Sequence, residues 1–203
     1  MNAVATAPVE QAAEGAVGGE PVVRDASEGA AATAPAAEGA SEGAVKTKKL
    51  VIVDYSGELE KTWATLILAS TAGAMEMETS VFITFWGLQT FVKDRKRITG
   101  ENWMQKMMSF MQRPGVSHRK LSKMNFMGMG PWMMFKLAKQ YNVASPKDLL
   151  EMAQAVGVKF IPCQMTMDMF GIKREDLIAG MEEPVGAATA LQLMTEADST
   201  LFI

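Results

Sequence analysis

Short apolar runs alternate with helix-length segments along most of this chain. The first run, within residues 46–55 (KTKKLVIVDY), and the second, Thr79–Gly87 (TSVFITFWG), are typical of strands buried on both faces of a parallel sheet. A helix predicted between them, from Ser56 or Gly57 through Met75, gives a β-α-β start. The pattern predicts an α/β fold with a doubly wound, mostly parallel sheet and helices on both faces.

The alternation continues in the second half of the chain with clearer boundaries. Ser145 as N-cap, Pro146 at the first helical position and Gly157 as the stop predict a helix. This helix leads into a short strand, VKFIP (158–162). We expect two further helices and a last strand, at Lys173–Met181, Gly186–Ala197 and Thr200–Ile203 respectively.

Residues 1–45 differ from the rest, being mostly Ala, Gly, Glu, Val and Pro with repeated AEGA and SEGA phrases. They contain too few large apolar side chains to offset the entropy of ordering, so we predict a disordered tail. The tail has a net charge of −6 against −3 for the whole chain, which leaves +3 on residues 46–203, predicted to be one domain. It resembles neither a signal peptide nor a transit peptide, so we expect a cytoplasmic protein.

A basic, Met-rich segment at about 93–139 separates the two halves, and we expect it to be a largely helical insertion. Its first part places methionines at helical spacing on one face. Its second part, MNFMGMGPWMMF (124–135), is broken by glycines and a proline, which predicts a loop leading into another helix. The methionines of the first part are Met104, Met107, Met108 and Met111.

Three interpretations of the Met-rich segment stay open. Methionines fill irregular cores and form pliable contact surfaces, and a basic amphipathic helix can lie on a membrane. Thioethers can also hold Cu(I), although Met165, Met167 and Met169 would come together only in an extended chain. We expect no metal site and no cofactor.

A membrane-spanning helix is not expected between Thr62 and Val92. Only Glu76 and Glu78 are charged in this stretch, but each uncharged piece is shorter than the roughly 20 residues that a spanning helix needs. Membrane contact would be peripheral and would use a basic cluster next to this stretch. That cluster consists of Lys93, Arg95, Lys96 and Arg97.

The only cysteine, Cys163, directly follows the strand VKFIP. A single cysteine excludes an internal disulfide, a CxxC redox pair and a multi-cysteine zinc site. Reactive pockets of open α/β sheets lie beyond the carboxyl ends of strands, and a helix beginning at Gln164 would stabilise a thiolate. A lone cysteine is equally consistent with a small buried hydrophobe. If the thiol is reactive, the lack of a second cysteine favours transfer through a persulfide or mixed disulfide with a partner.

A cysteine hydrolase would need a general base, and the only histidine is His118, in the basic stretch GVSHRK. Nothing in the sequence brings His118 near Cys163, so we expect a solvated loop residue. The excess of Lys and Arg between Lys93 and Lys123 suits an acidic partner, a thiol-bearing anion or anionic lipid, or simply a solvated face. We expect no nucleic-acid partner.

Five blocks of the sequence resemble the DsrE/DsrF-like sulfur-carrier (sulfurtransferase) family, most of all its larger DsrE-type subgroup, sometimes labelled a peroxiredoxin family. The resemblance covers residues 46–203 and is most specific at the FWG and CQMTMD motifs. The peroxiredoxin label gains no support, because the peroxidatic PxxxTxxC pattern is missing. The blocks are LVIVDYSGELEK (Leu50–Lys61), VFITFWGL (Val81–Leu88), IPCQMTMDMFGI (Ile161–Ile172), GAAT (Gly186–Thr189) and the terminal LFI.

The resemblance implies a doubly wound subunit that forms homo-oligomers and carries sulfane sulfur as a persulfide on Cys163. It also implies exchange of sulfur with a TusA-type sulfur carrier or a rhodanese-like protein. Trp86, Gly87 and Gln164 are expected to line the pocket of that cysteine. The alternative is a non-enzymatic adaptor that docks on a membrane or protein complex through its basic Met-rich segment, with Cys163 merely buried.

Overall fold

The computed structural model describes residues 47–93, 100, 102–111, 115–116, 119–123 and 125–203, without the side chains of 108–111. Within this part of the chain, four strands form one parallel sheet in the order β3-β2-β1-β4. The apolar, β-branched composition of the two central strands suits burial between two layers of helices. The strands are β1 (Lys49–Asp54), β2 (Glu78–Ile83), β3 (Lys159–Pro162) and β4 (Ser199–Phe202).

Helices connect the strands, as the alternation in the sequence predicts. The helix before β3 begins as expected, with a capping box between Ser145 and Asp148 and with Pro146 in the first turn. The helices are α1 (Leu59–Ala74), α2 (Phe85–Leu88), α3 (Trp103–Met111), α4 (Met129–Gln140), α5 (Pro146–Ala155), α6 (Gln164–Phe170) and α7 (Ala187–Glu196), with short 3₁₀ turns at Gln89–Phe91, Phe126–Gly128 and Arg174–Asp176.

Two apolar clusters lie on opposite faces of the sheet, because successive side chains of a strand point to opposite faces. The first cluster joins Ile52 and Ile83 of the strands to α1 and α5. The second, smaller cluster joins Val53 and Phe82 to α7. The predicted doubly wound α/β fold, with helices on both faces, is therefore confirmed.

The end of one predicted strand and the type of one predicted helix are wrong. The strand predicted at Thr79–Gly87 ends at Ile83, and Phe85 starts the short helix α2 with a φ of 45°. The helix predicted at Lys173–Met181 is only a 3₁₀ turn. Its continuation is extended, because Leu177 forms an antiparallel bridge to Val92 instead of a further helical turn.

The Met-rich segment contains helices α3 and α4, as expected, but α4 already begins at Met129, so Gly130 and Pro131 lie in its first turn and not in a loop. In the described part of the chain, no helix has both the length and the apolar character needed to cross a bilayer. The predicted disordered tail, His118 and the basic residues 95–97 lie outside the described residues.

Candidate functional site

Cys163 lies at the junction between β3 and α6, where it is the N-cap residue of the helix. Its backbone N–H donates to the carbonyl of Ile83 (2.9 Å), and its carbonyl accepts from Met167 (3.1 Å). On its other side, Cys163 forms a parallel bridge to Val185. The backbone of the cysteine is therefore held from three directions at the carboxyl end of the sheet.

The side chain of Cys163 is free of any disulfide and only 3% exposed. It belongs to the second apolar cluster, with Val53, Phe82 and Ile161 from the strands and Ala190 from α7. These neighbours offer the sulfur an apolar environment from which water is largely excluded. The predicted position after a buried strand is correct, and so is the helix that begins at Gln164.

The turn that follows β2 is fastened to α6 by two hydroxyl groups. The Oγ1 atoms of Thr84 and Thr166 lie 3.0 Å apart, and the N–H of Phe85 donates to Thr166 Oγ1 over 3.1 Å. Further along, the rings of Trp86 and Phe170 stack with their centroids 5.1 Å apart. The FWG turn (Phe85–Gly87) therefore contacts α6, the helix after Cys163, at both of its ends.

Gly87 packs against the end of the central strand β1. A Cβ atom at this position would lie 2.5 Å from the carbonyl oxygen and 2.8 Å from Oδ1 of Asp54, so any side chain would force the two segments apart. The backbone holds the same contact, because Thr84 N–H donates to Asp54 (2.9 Å) and Gly87 N–H to Tyr55 (3.1 Å). Glycine is required here by close approach, not by its backbone angle.

Asp54 is a fully buried carboxyl group, and among the described residues neither of its oxygens has a hydrogen-bond partner of good geometry. Burial raises the pKa of Asp54 to about 6, since desolvation disfavours the charged form. The backbone N–H groups of Gly57 and Ser56 lower this pKa, and the charges of Arg119 and Lys61 lower it further, but these effects do not offset burial. A strongly shifted carboxyl at the carboxyl end of a sheet is typical of functional regions.

The structure shows each of the predicted pocket residues in contact with a different partner. Trp86 is half-exposed and contacts Phe170 at the far end of α6, while Gly87 contacts Asp54. Gln164 follows Cys163 directly, but its exposed side chain donates to Asp168 (2.8 Å).

The sequence did not single out Asp54 and Thr166 as parts of the candidate site. The only available signal was a carboxylate at the end of the apolar run LVIVD and a hydroxyl in the middle of the CQMTMD motif.

The methionines after Cys163 are separated by the helix. Met165 and Met169 lie on the exposed face of α6, whereas Met167 is buried in the first cluster. The three thioethers therefore do not converge on one point, which weighs against the Cu(I) interpretation. Among the described residues, no group of three or more His, Cys, Asp or Glu side chains could hold a metal ion.

A family model described as DsrE/DsrF/DrsH-like matches residues 46–202. Among curated proteins, "Sulfur carrier protein DsrE2" of Allochromatium vinosum is 37% identical over 159 residues, which are 77% of this chain and 98% of that protein. "Uncharacterized protein YrkE" of Bacillus subtilis is 37% identical over 158 residues, 78% of this chain and 98% of that protein. Among solved structures, the ychN protein of E. coli matches with a TM-score of 0.49 and 18% identity, covering 77% of this chain and all of the other.

Proposed function

Because this chain belongs to the DsrE/DsrF/DrsH-like family, we propose that it takes part in sulfur transfer and that Cys163 is the residue that carries the sulfur. The observation that carries this proposal is the position of the only cysteine, at the carboxyl end of β3 and the start of α6. A relative called a sulfur carrier, 37% identical over nearly its whole length, supports it. The protein would be a sulfurtransferase of the persulfide-relay type.

The proposed reaction has two balanced exchange steps. In loading, the Cys163 thiolate attacks the outer sulfur of a donor persulfide RS–SH. The RS–S bond breaks, RS⁻ leaves, and Cys163 becomes a persulfide, Cys–S–SH. In unloading, an acceptor thiolate attacks the outer sulfur, the acceptor becomes the persulfide and Cys163 returns to the thiolate. No net oxidation occurs, and no cofactor is needed.

The donor and acceptor are proposed to be other proteins, because one cysteine cannot complete an exchange within the chain. A TusA-type sulfur carrier or a rhodanese-like protein has the required chemistry. We propose that the protein works in the cytoplasm as a homo-oligomer, with peripheral contact to a membrane.

Intact-mass spectrometry of the full-length protein tests this function. After incubation with a low-molecular-weight persulfide or inorganic polysulfide, the wild-type protein should gain about 32 Da, one sulfur atom, which a reducing thiol removes. The variants Cys163→Ser and Cys163→Ala should gain nothing. If the wild-type mass stays unchanged, or if the variants take up the same sulfur, Cys163 is not the carrier.

The near-complete burial of Cys163 favours a second function, that of a non-enzymatic adaptor with a structural cysteine. Alkylation by iodoacetamide separates the two, because Cys163 is the only thiol that can react. A carrier thiol should be alkylated in the native protein, through local opening at the start of α6. A structural thiol should react only after unfolding in urea, and that result would favour the adaptor.

A further inference from the structure

Helix α4 carries apolar side chains on two adjoining sides. Its inner side is packed, with Met134, Phe135 and Ala138 against the first apolar cluster and the Phe135 ring 5.4 Å from the ring of Trp63. Its outer side carries a second apolar row at four-residue spacing, which we call the outer stripe. The outer stripe consists of Met129, Met133, Leu137 and Tyr141.

Every member of the outer stripe is exposed, from 46% for Met133 to 72% for Tyr141. Trp132 is also 62% exposed, and Lys136 Nζ lies 5.2 Å from the centre of its ring. The 3₁₀ turn before α4 extends this surface, because Met127 projects an apolar side chain fully into solvent from a backbone with a φ of 55°. An exposed apolar surface of this extent is typical of an interaction site, so this surface calls for a partner.

A groove of about 510 Å³ runs between α1 and α4 beside the outer stripe. Its lining is almost entirely apolar and includes Ile67 of α1 together with Leu137 and Val143. The carboxylate of Glu60, at one side of the groove, accepts hydrogen bonds from the backbone and hydroxyl of Ser122. The groove enlarges the apolar surface that a partner could cover.

The segment that contains α4 carries charge of one sign, and the carboxylate nearest to the stripe, that of Glu60, is held by Ser122 across the groove. No acidic residue occurs in the sequence between Glu101 and Asp148. A second copy of the chain docked stripe to stripe would bring two groups of cations together, which like-charge repulsion opposes. An anionic partner is favoured instead. The lysines next to and within α4 are Lys120, Lys123, Lys136 and Lys139, all exposed.

We propose that the outer stripe is a docking surface for an anionic lipid bilayer. The apolar side chains enter the headgroup and acyl boundary, Trp132 and Tyr141 lie at the level of the headgroups, and Lys136 and Lys139 extend to anionic lipids. This surface differs from the basic cluster at 93–97 that the sequence suggested. It does not depend on the chemistry of Cys163.

Co-sedimentation of the full-length protein with vesicles tests the electrostatic part of the proposal. Binding to vesicles containing roughly one third phosphatidylglycerol should exceed binding to pure phosphatidylcholine, and raised salt should weaken it. Because each lysine near an anionic surface contributes to binding, replacing both Lys136 and Lys139 by Gln should weaken binding about 30-fold. The control pair Lys48→Gln and Lys173→Gln makes the same change in net charge away from α4.

The contribution of the apolar side chains to vesicle binding is tested with a double variant that carries Met133→Ser and Leu137→Ser. Both side chains are exposed, so the variant should keep its circular dichroism spectrum and unfold at nearly the same urea concentration. Its vesicle binding should fall at least as much as that of the lysine variant. Cys163→Ala should bind vesicles like the wild type, which separates a failure here from a failure of sulfur transfer.

Three outcomes would overturn the proposal. The first is that the wild-type protein does not sediment with anionic vesicles. The second is that the control pair of lysine substitutions weakens binding as much as the α4 pair, which would mean general charge attraction. The third is that light scattering shows an oligomer that the Met133→Ser and Leu137→Ser variant dissociates, which would assign the outer stripe to a second copy of the chain.

Discussion

Replacing Asp54 by Asn should change how the stability of the protein depends on pH. The pKa of Asp54 is raised from 3.8 to about 6 in the folded protein, because the carboxyl is buried beneath Gly87. A carboxyl with a raised folded pKa favours folding below its unfolded pKa, and this contribution is lost as the pH rises through the folded pKa. Wild-type stability should therefore decrease between about pH 4 and about pH 6 on account of this group.

The size of this change in stability follows from the shift in the pKa of Asp54. About two pKa units at 1.36 kcal/mol each correspond to about 3 kcal/mol. The Asp54→Asn variant cannot ionise, so its stability relative to the wild type should rise by about 2–3 kcal/mol from pH 4 to pH 7.5. The amide brings its own buried polar atoms, which shift the whole curve by a constant of about 1–3 kcal/mol and leave its slope unchanged.

Urea unfolding followed by circular dichroism, at several pH values from about 4 to 8, measures this difference. Carboxylates present in both proteins cancel when the two free energies are subtracted. Glu183→Gln, which removes an exposed carboxylate, controls for the loss of a negative charge as such. A difference that stays flat to within about 1 kcal/mol would refute the reasoning, because it would mean that Asp54 ionises as readily in the folded protein as in the unfolded chain.

Two further variants test the contacts that hold the FWG turn. Gly87→Ala should destabilise the fold by about 1–3 kcal/mol, because its Cβ would collide with Asp54. At Gly186 an added Cβ would meet no atom of the described residues within 4 Å apart from its chain neighbours, so Gly186→Ala should stay within about 0.5 kcal/mol of the wild type in urea unfolding. Thr166→Val should cost about 1–3 kcal/mol by removing the hydroxyl that contacts Thr84 and Phe85. Thr166→Ser keeps that hydroxyl and should recover most of the loss, and equal losses in both variants would refute the role of the hydroxyl.

The sequence predicted those elements whose signals are local. The run LVIVD is apolar on both alternating positions because β1 is buried on both faces, and Ser145 with Pro146 marks the start of α5 by its own capping chemistry. The end of β2 was not predictable in this way, since FITFWG stays apolar past Ile83. Beyond Ile83 the N–H of Phe85 donates to Thr166, a residue far along the chain, and not to a neighbouring strand.

The difference between local patterns and distant contacts also explains which residues of the candidate site could be predicted. Cys163 could be located from its neighbours in sequence, since a strand precedes it and a helix follows it. Asp54 looked like an ordinary charged residue at the end of a strand. Its burial arises from the FWG turn after β2, where Gly87 closes over the carboxyl, and its pKa depends partly on Arg119. Both contacts join segments that are distant in sequence, so no local pattern carries them.

The proposed docking surface on α4 and the thiol of Cys163 lie on opposite faces of the sheet, and this arrangement makes membrane docking and sulfur exchange compatible. Helix α4 packs through Phe135 on the first apolar cluster, whereas the thiol of Cys163 belongs to the second cluster, beside α7. A bilayer that covers the outer stripe would therefore approach from the face of α1 and α5. The face of α7 would stay open to partner proteins, so that membrane attachment and sulfur exchange need not compete for the same surface.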